Sequence, residues 1–117
     1  MTPNEYQKEA IRTERAMNNR CYLARDSTRV LNGIMGMNGE AGECIDLLKK
    51  YYFQGHDLDI DHLTKEIGDV LWYVAISADA IGYTLEEIMQ LNIDKLKTRY
   101  PDGFEAERSI NRKADDI

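Results

Sequence analysis

Proline placement constrains the fold of this chain more than any other feature of the sequence. The two prolines are Pro3 and Pro101, so about 97 intervening residues carry no ring that would break a helix. Within that stretch apolar residues recur every three or four positions, as they do on one face of an α-helix. The sequence therefore predicts an all-α fold, in which four helices joined by short loops form an antiparallel, bundle-like domain.

Capping residues and glycines predict where the helices begin and end. Thr2 to Glu5 forms a capping box with proline at the first helical position, and the Asn18-Asn19 pair is expected to end that helix. Gly82 is a suitable residue to follow the third helix. The predicted helices span about residues 3–17, 27–52, 60–81 and 85–100. The charged, apolar-poor residues 101–117 are expected to form a mobile or wrapping tail.

Helical spacing also predicts which face of each long helix lies in the core. On the second helix this stripe comprises Val30, Ile34, Met37, Ala41, Cys44, Ile45 and Leu48. On the third helix it comprises Ile60, Leu63, Ile67, Val70, Leu71, Val74, Ala78 and Ile81. Another side of the third helix carries Glu66, Asp69 and Tyr73, away from the predicted core stripe.

Composition limits the classes of function open to the chain. With 117 residues, of which 43% are hydrophobic, it has the size of a single domain, predicted to span residues 1–117. Its formal charge of −6 argues against non-specific binding to nucleic-acid polymers. No apolar run is long enough to span a membrane, the first residues do not resemble a signal peptide, and two cysteines form no disulfide framework. We therefore expect a cytoplasmic protein.

Two pairs of carboxylates are the most informative residues for chemistry. Glu40 and Glu43 stand three positions apart on the second helix, and Glu66 and Asp69 stand three apart on the third. Residues at that spacing share a helix face. Two such faces could form an oxygen-rich site for a hard divalent cation such as Mg²⁺. For any single pair, a solvated acidic face is the alternative interpretation.

Cations and aromatic residues could complete such a site. Asn92, Lys95 and Arg99 lie on the apolar stripe of the fourth helix, where they could either form buried ion pairs or grip phosphate oxygens. Lys50 is a further candidate, with an ion pair to Asp46 as its alternative. We also expect Tyr73 to close the site with its hydroxyl. Trp72 is interpreted as a core or interface residue that could also stack on a base, and His56 and His62 as loop and surface residues.

These motifs resemble the MazG-like, all-α nucleoside triphosphate pyrophosphohydrolases. Residues 38–43 (NGEAGE), followed by the LLKK of residues 47–50, resemble the first metal-binding helix of that family. The EIGDVLWY of residues 66–73 resembles the second, and the NIDKLKTRYP of residues 92–101 resembles the segment that closes the site. An ExxE, an ExxD that begins 26 residues later and an NxxKLxxRYP occur here in the family's order.

The resemblance implies an enzyme that hydrolyses nucleoside or deoxynucleoside triphosphates between the α and β phosphates. It implies Mg²⁺, with Mn²⁺ as a possible substitute, held by Glu40, Glu43, Glu66 and Asp69, one glutamate also activating water. Residues implied to position phosphates and sugar are Lys50, Tyr73, Asn92, Lys95 and Arg99. Base selection would fall to first-helix residues such as Tyr6 and Thr13, and the protein would be a homodimer or homotetramer.

Two other functions remain open from the sequence. The first is a catalytically idle helical module that senses nucleotides or binds a partner protein. The second is a di-iron protein, which is disfavoured because no histidine follows a glutamate at the Glu-x-x-His spacing. The number of metal ions, the base and the tail's role are also left open.

Overall fold

The computed structural model describes residues 1–14 and 25–117, with side chains from residue 27 onward in the second range. In chain order the helices are α1 Pro3–Ile11, α2 Arg25–Phe53, α3 Ile60–Ala80, α4 Leu85–Arg99 and α5 Ala106–Ile110. These described ranges contain no strand, so the predicted all-α class is confirmed. None of their helices is both long and apolar enough to cross a membrane.

The described chain forms two compact units, Met1–Leu85 and Glu86–Ile117. The first holds α1, α2 and α3, while nearly all of α4 belongs to the second, together with α5 and the C-terminal residues. We describe each unit by itself. The assembly of four helices into one bundle, and of residues 1–117 into one domain, remains a prediction.

Local capping chemistry determines several helix ends. The hydroxyl of Thr2 accepts a hydrogen bond from the Glu5 amide at 3.1 Å, and the Thr2 amide donates to the Glu5 carboxylate at 2.7 Å. This is the predicted capping box. At the start of α3 the Asp59 carboxylate accepts from the His62 amide at 3.0 Å. Gly82 follows α3 with φ +86°, a conformation that glycine adopts without steric cost.

The first helix ends earlier than predicted. α1 stops at Ile11, and the backbone then turns at residues 12 and 13. The Thr13 hydroxyl donates to the Ala10 carbonyl at 2.8 Å, a local bond that competes with continued helix. The predicted end at Asn18-Asn19 lies outside the described residues, as does Cys21.

In the first unit, α3 packs against both α1 and α2. Gln7 of α1 is 5% exposed. Its amide nitrogen donates to the carbonyls of Ala75 and Tyr83, and its amide oxygen accepts from the Leu85 backbone, at 3.0–3.2 Å. A buried side chain amide with three such bonds fixes α1 against the C-terminal end of α3. The small core around it contains Ala10, Ala75, Ile76 and Leu85.

A charged side chain also joins the three helices of this unit. The Arg29 guanidinium of α2 donates three hydrogen bonds to the Glu14 carboxylate at 2.8–3.1 Å and one to Asp79 of α3 at 2.6 Å. The Arg29 side chain is 13% exposed and that of Glu14 10%. A paired, largely buried arginine links α2 to α3 and to the turn after α1.

Two glycines of α2 let the long helices approach closely. A Cβ on Gly33 would overlap the Ser77 hydroxyl, and a Cβ on Gly36 would overlap the Tyr73 ring. Advancing along α2 therefore means moving backward along α3, so the two helices are antiparallel. Their closest contact lies on the α3 face that carries Ser77 and Tyr73.

The predicted core stripe of α3 was therefore wrong in part: Ala78 is buried and Val74 packs against the core, but other members are exposed. Ile67 is 56% exposed, Leu71 43% and Ile81 54%, while Ala75, Ile76 and Ser77 are buried. On α2 the predicted core residues Ile34 and Ile45 are exposed as well. The physical reason is that small residues, and a tyrosine opposite a glycine, allow closer helix contact than the larger apolar stripes. Seven residues of the two predicted stripes are exposed in the single chain: Ile34, Ile45 and Leu48 on the α2 stripe, and Ile60, Ile67, Leu71 and Ile81 on the α3 stripe.

Candidate active site

Three of the predicted carboxylates converge between α2 and α3. One oxygen each from Glu40, Glu66 and Asp69 can be chosen so that all three lie within 4.8 Å of one another. Glu40 and Glu66 are half-buried and Asp69 is exposed. The antiparallel register explains the meeting, because Glu40 follows Gly36 by one helical turn and Asp69 precedes Tyr73 by one turn.

Loss of hydration, together with repulsion between carboxylates, raises the pKa of one member of this cluster. Loss of hydration raises the pKa of Glu40 above its ordinary value, and the charges of Asp69 and Glu66 raise it further. Burial also raises the pKa of the Tyr6 hydroxyl, with a smaller contribution from the charge of Asp69. A divalent cation among the three carboxylates would relieve this repulsion, and their hard oxygen donors suit Mg²⁺.

Glu43, the fourth predicted carboxylate, lies outside this cluster of three. Its side chain is exposed. It is close enough for its charge to contribute to the raised pKa of Glu40. This places Glu43 at the edge of the cluster.

His62 is a neighbour of the site that the sequence interpretation missed. Its ring Nε2 lies 2.9 Å from the Glu66 carboxylate, one helical turn away on α3. The Glu-x-x-His pattern places a histidine three residues after a glutamate, whereas His62 stands four residues before Glu66. The i, i+4 spacing is the signal that could have found it.

An open cavity of about 340 Å³ adjoins the carboxylates. It is lined by Glu40, Asp69, Trp72 and Tyr73. The Trp72 indole nitrogen donates to the Thr13 hydroxyl at 2.8 Å, and its ring packs edge to face with Tyr73 at 4.9 Å between centroids. Trp72 also packs against the core, as one of its predicted roles requires. Trp72 and Tyr73 of α3 therefore form an aromatic wall beside Glu40 and Asp69.

Two of the three predicted cations, Lys50 and Arg99, form ion pairs with neighbouring aspartates. Lys50 forms an ion pair with Asp46 at 2.8 Å, which is the alternative considered for it. Arg99 binds the Asp116 carboxylate through two nitrogens at 2.6 and 2.7 Å. Asn92 is exposed on α4, and Lys95 lines a cavity with Arg99 in the second unit.

The fold and the acids define a class of protein: an all-α domain whose paired helices present carboxylates suited to a hard divalent cation. The family model for the MazG nucleotide pyrophosphohydrolase domain matches residues 31–104. The chain belongs to this family, and the resemblance stated from the sequence is confirmed.

One curated relative and the solved structures complete the comparison. The chain is similar to Gene 37 protein of Mycobacterium phage L5, with 37% identity over 73 residues. That match covers 59% of this chain and 64% of the relative, so the chain spans less than two thirds of the relative's length. No solved structure matches.

Proposed function

We propose that the chain is a Mg²⁺-dependent pyrophosphohydrolase that cleaves nucleoside or deoxynucleoside triphosphates into a monophosphate and pyrophosphate. The observation that carries the proposal is the convergence of Glu40, Glu66 and Asp69 across α2 and α3 in a chain of the MazG family. Such an enzyme would cleanse or regulate the nucleotide pool. Mn²⁺ is expected to substitute for Mg²⁺ because both accept carboxylate oxygens.

In this mechanism the chain's carboxylates hold the cation, and one of them accepts a proton from the attacking water. A bound divalent cation polarises phosphoryl oxygens and lowers the pKa of water. One water adds to the α phosphorus, the bond from that phosphorus to the α–β bridging oxygen breaks, and pyrophosphate leaves. A glutamate among Glu40, Glu43 and Glu66 accepts the proton of that water, since an ionised carboxylate within hydrogen-bond reach can serve as general base.

Other residues have positioning roles in the proposal. Asp69 is proposed to hold the cation with the glutamates. Tyr73, which lines the cavity with Asp69, is proposed to bind an oxygen of the substrate through its hydroxyl. The residues proposed to position phosphates and sugar, besides Tyr73, are Lys50, Asn92, Lys95 and Arg99. Lys50 must exchange its Asp46 partner for substrate to do so.

The functional form is proposed to be a homodimer or a homotetramer. The support is the uncovered apolar side chains of α2 and α3, such as Ile45 at 65% and Ile67 at 56% exposure. Apolar stripes of this kind on a soluble helix favour burial against another surface. Light scattering after gel filtration should give twice or four times the chain mass, and Leu71→Asp should reduce it. A monomeric wild-type protein would contradict the proposal.

The direct test is a panel of canonical and modified NTPs and dNTPs with Mg²⁺ or Mn²⁺. Pyrophosphate and orthophosphate are scored separately, and the nucleoside product is identified by chromatography. Pyrophosphate with a monophosphate supports cleavage between the α and β phosphates, and the ranking identifies the base. Orthophosphate with a diphosphate contradicts it. If no nucleotide of the panel yields pyrophosphate or orthophosphate, the result favours the alternative, a helical module that senses nucleotides without turnover or binds a protein.

A further inference from the structure

The second unit contains a cavity whose charge is opposite to that of the whole chain. The cavity has a volume of about 470 Å³ and lies among α4, α5 and the C-terminal residues. Five of its lining side chains are lysine or arginine and two are aspartate, which leaves a formal charge of +3. The chain as a whole carries −6. Such a concentration of cations in a concave surface attracts anions.

One of these cations already holds a carboxylate. Arg99 Nε donates to Asp116 Oδ2 at 2.7 Å and Arg99 Nη2 to Asp116 Oδ1 at 2.6 Å. The side chains of Arg99 and Asp116 are 12% and 20% exposed. Arginine binds phosphate with the same two-pronged geometry, so Asp116 occupies the position of a phosphate oxygen pair.

The contact between Arg99 and Asp116 does not engage all of the cations that line the cavity. The hydrogen bond and charge of Arg99 lower the pKa of Asp116, and the charges of Arg112 and Lys95 lower it further. Arg108 pairs with Glu105 at 3.4 Å, on a half-exposed surface. Among the described residues, no carboxylate forms a salt bridge with Lys95, Arg112 or Lys113. A ligand with several negative charges could engage more of these cations than one carboxylate does.

We propose that this cavity is a binding site for a diphosphate or triphosphate group, and that Asp116 occupies it as an internal competitor. Arriving polyphosphate displaces the Asp116 carboxylate from Arg99 and also engages the C-terminal cations Arg108, Arg112 and Lys113. The sequence motif reaches only to residue 101, so the C-terminal residues are an addition to it. The proposal rests on the proposed function, which already gives Lys95 and Arg99 a role in positioning phosphates, and it adds the competition by Asp116 and the C-terminal cations.

Calorimetry on the full chain tests this without turnover. Pyrophosphate and tripolyphosphate are titrated in EDTA into wild type, Asp116→Asn and Asp115→Asn. We expect Asp116→Asn to bind roughly tenfold more tightly than wild type, because a charge-assisted hydrogen-bond pair no longer has to be broken. Asp115→Asn removes the same charge from the lining and is expected to change affinity about twofold or less. Arg99→Ala should weaken binding in either background.

Three outcomes overturn the proposal: no binding by either wild type or Asp116→Asn, equal effects of Asp115→Asn and Asp116→Asn, or no effect of Arg99→Ala. Because metal is absent, a chain that fails to hydrolyse nucleotides can still bind polyphosphate here. The two failures are therefore distinguishable. Equal affinity for dATP and tripolyphosphate in the same buffer identifies the phosphates alone as the ligand, whereas tighter dATP binding identifies the nucleotide.

A second measurement uses the wild-type chain, in case Asp116→Asn disturbs folding. The Arg99 Nε–H resonance is assigned by its loss in Arg99→Lys and followed in ¹⁵N spectra as pyrophosphate is added. Exchange of a carboxylate for a phosphate partner should move this resonance in a saturable manner. A resonance that does not move at saturating pyrophosphate contradicts displacement of Asp116.

Discussion

The α2–α3 face and the cavity of the second unit differ in how their charges are balanced. The first collects three carboxylates, and loss of hydration, together with the charges of Asp69 and Glu66, raises the pKa of Glu40. The second collects cations and supplies its own anion, whose pKa is lowered by Arg99. The first therefore gains from a cation that the chain does not provide. In our proposal, the ion pair between Arg99 and Asp116 in the second cavity must break before a polyphosphate group can bind there.

The two sites also differ in what holds their geometry. On the α2–α3 face, the separation of the carboxylates depends on the packing of the Ser77 and Tyr73 side chains of α3 against Gly33 and Gly36 of α2. In the second unit, an ion pair between residues 17 positions apart draws the C-terminal segment to α4. Steric contact depends little on solution conditions, whereas ion pairs respond to pH and salt.

The largest expected effect comes from breaking the carboxylate cluster. Asp69→Asn keeps the shape of the side chain but removes the negative charge, and we expect hydrolysis to fall by more than about 100-fold, as metal sites lose function when their ligand environment is disturbed. The helical circular dichroism should be unchanged. Asp61→Asn, an exposed change on the same helix outside the cluster, is the control. Full activity in Asp69→Asn would remove Asp69 from the site.

Removing the charge of Glu43 tests the metal site in the same way as Asp69→Asn. Glu43→Gln is also expected to abolish hydrolysis if that residue holds the metal, as the family motif implies. Because the structure places Glu43 at the edge of the cluster, comparison with Glu40→Gln shows which residue contributes more. A Glu43→Gln variant with wild-type activity would restrict the metal site to the three converging carboxylates.

The next largest effect is on stability, through the close approach of the helices. Gly36→Ala places a methyl group into the Tyr73 ring, and we expect it to destabilise the fold by about 1–3 kcal/mol. Gly39→Ala is the matched control, because a Cβ there meets nothing within 4 Å. Alanine in that helical position should stabilise by up to about 1 kcal/mol. Urea unfolding of both variants checks the contrast, and equal effects would contradict it.

A smaller effect should appear in the pH dependence of stability, with opposite signs in the two regions. The folded-state pKa of Glu40 is raised, so its ionised form opposes folding above about pH 4.5 and this penalty disappears in acid. The folded-state pKa of Asp116 is lowered, so its contribution is present above about pH 3.8 and is lost on further acidification.

Two variants isolate these contributions in thermal melts. At neutral pH we expect Glu40→Gln to melt above wild type and Asp116→Asn below it. Both differences should shrink as the pH falls to about 3. Added Mg²⁺ should raise the melting temperature of wild type more than that of Glu40→Gln. Shifts of the same sign for both variants would contradict the expectation that ionised Glu40 destabilises the fold and ionised Asp116 stabilises it.

The smallest expected effect is spectroscopic and concerns the metal alone. Trp72 is the single tryptophan of the chain and lines the cavity beside Glu40 and Asp69. Cation binding there should change its emission, because the charges near the indole are neutralised. Titration with Mg²⁺ should give a saturable change in wild type and Asp61→Asn but not in Asp69→Asn. An identical response in Asp69→Asn would place the cation elsewhere.

Local features of this fold could be predicted from the sequence, whereas the identity of the buried faces could not. The capping box at Thr2 and the glycine after α3 depend on neighbouring residues, and both were predicted. The convergence of the acids was expected from their spacing along two helices. The core face of α3 was misjudged because periodicity identifies an apolar stripe without showing what covers it. Contacts such as Arg99–Asp116 depend on how the C-terminal segment returns to α4, which no local pattern records.

The contact at Gly36 has a consequence for ion selectivity. Oxygen ligands surround Mg²⁺ at about 2.1 Å but Ca²⁺ at about 2.3–2.6 Å. Since Glu40 is on α2 and Glu66 and Asp69 are on α3, any change in helix separation changes the size of the space between their oxygens. Gly36 carries no ligand atom, yet it helps to set that separation. In the proposed metal site, discrimination between ions of different radius would therefore depend partly on the side chain that Gly36 lacks.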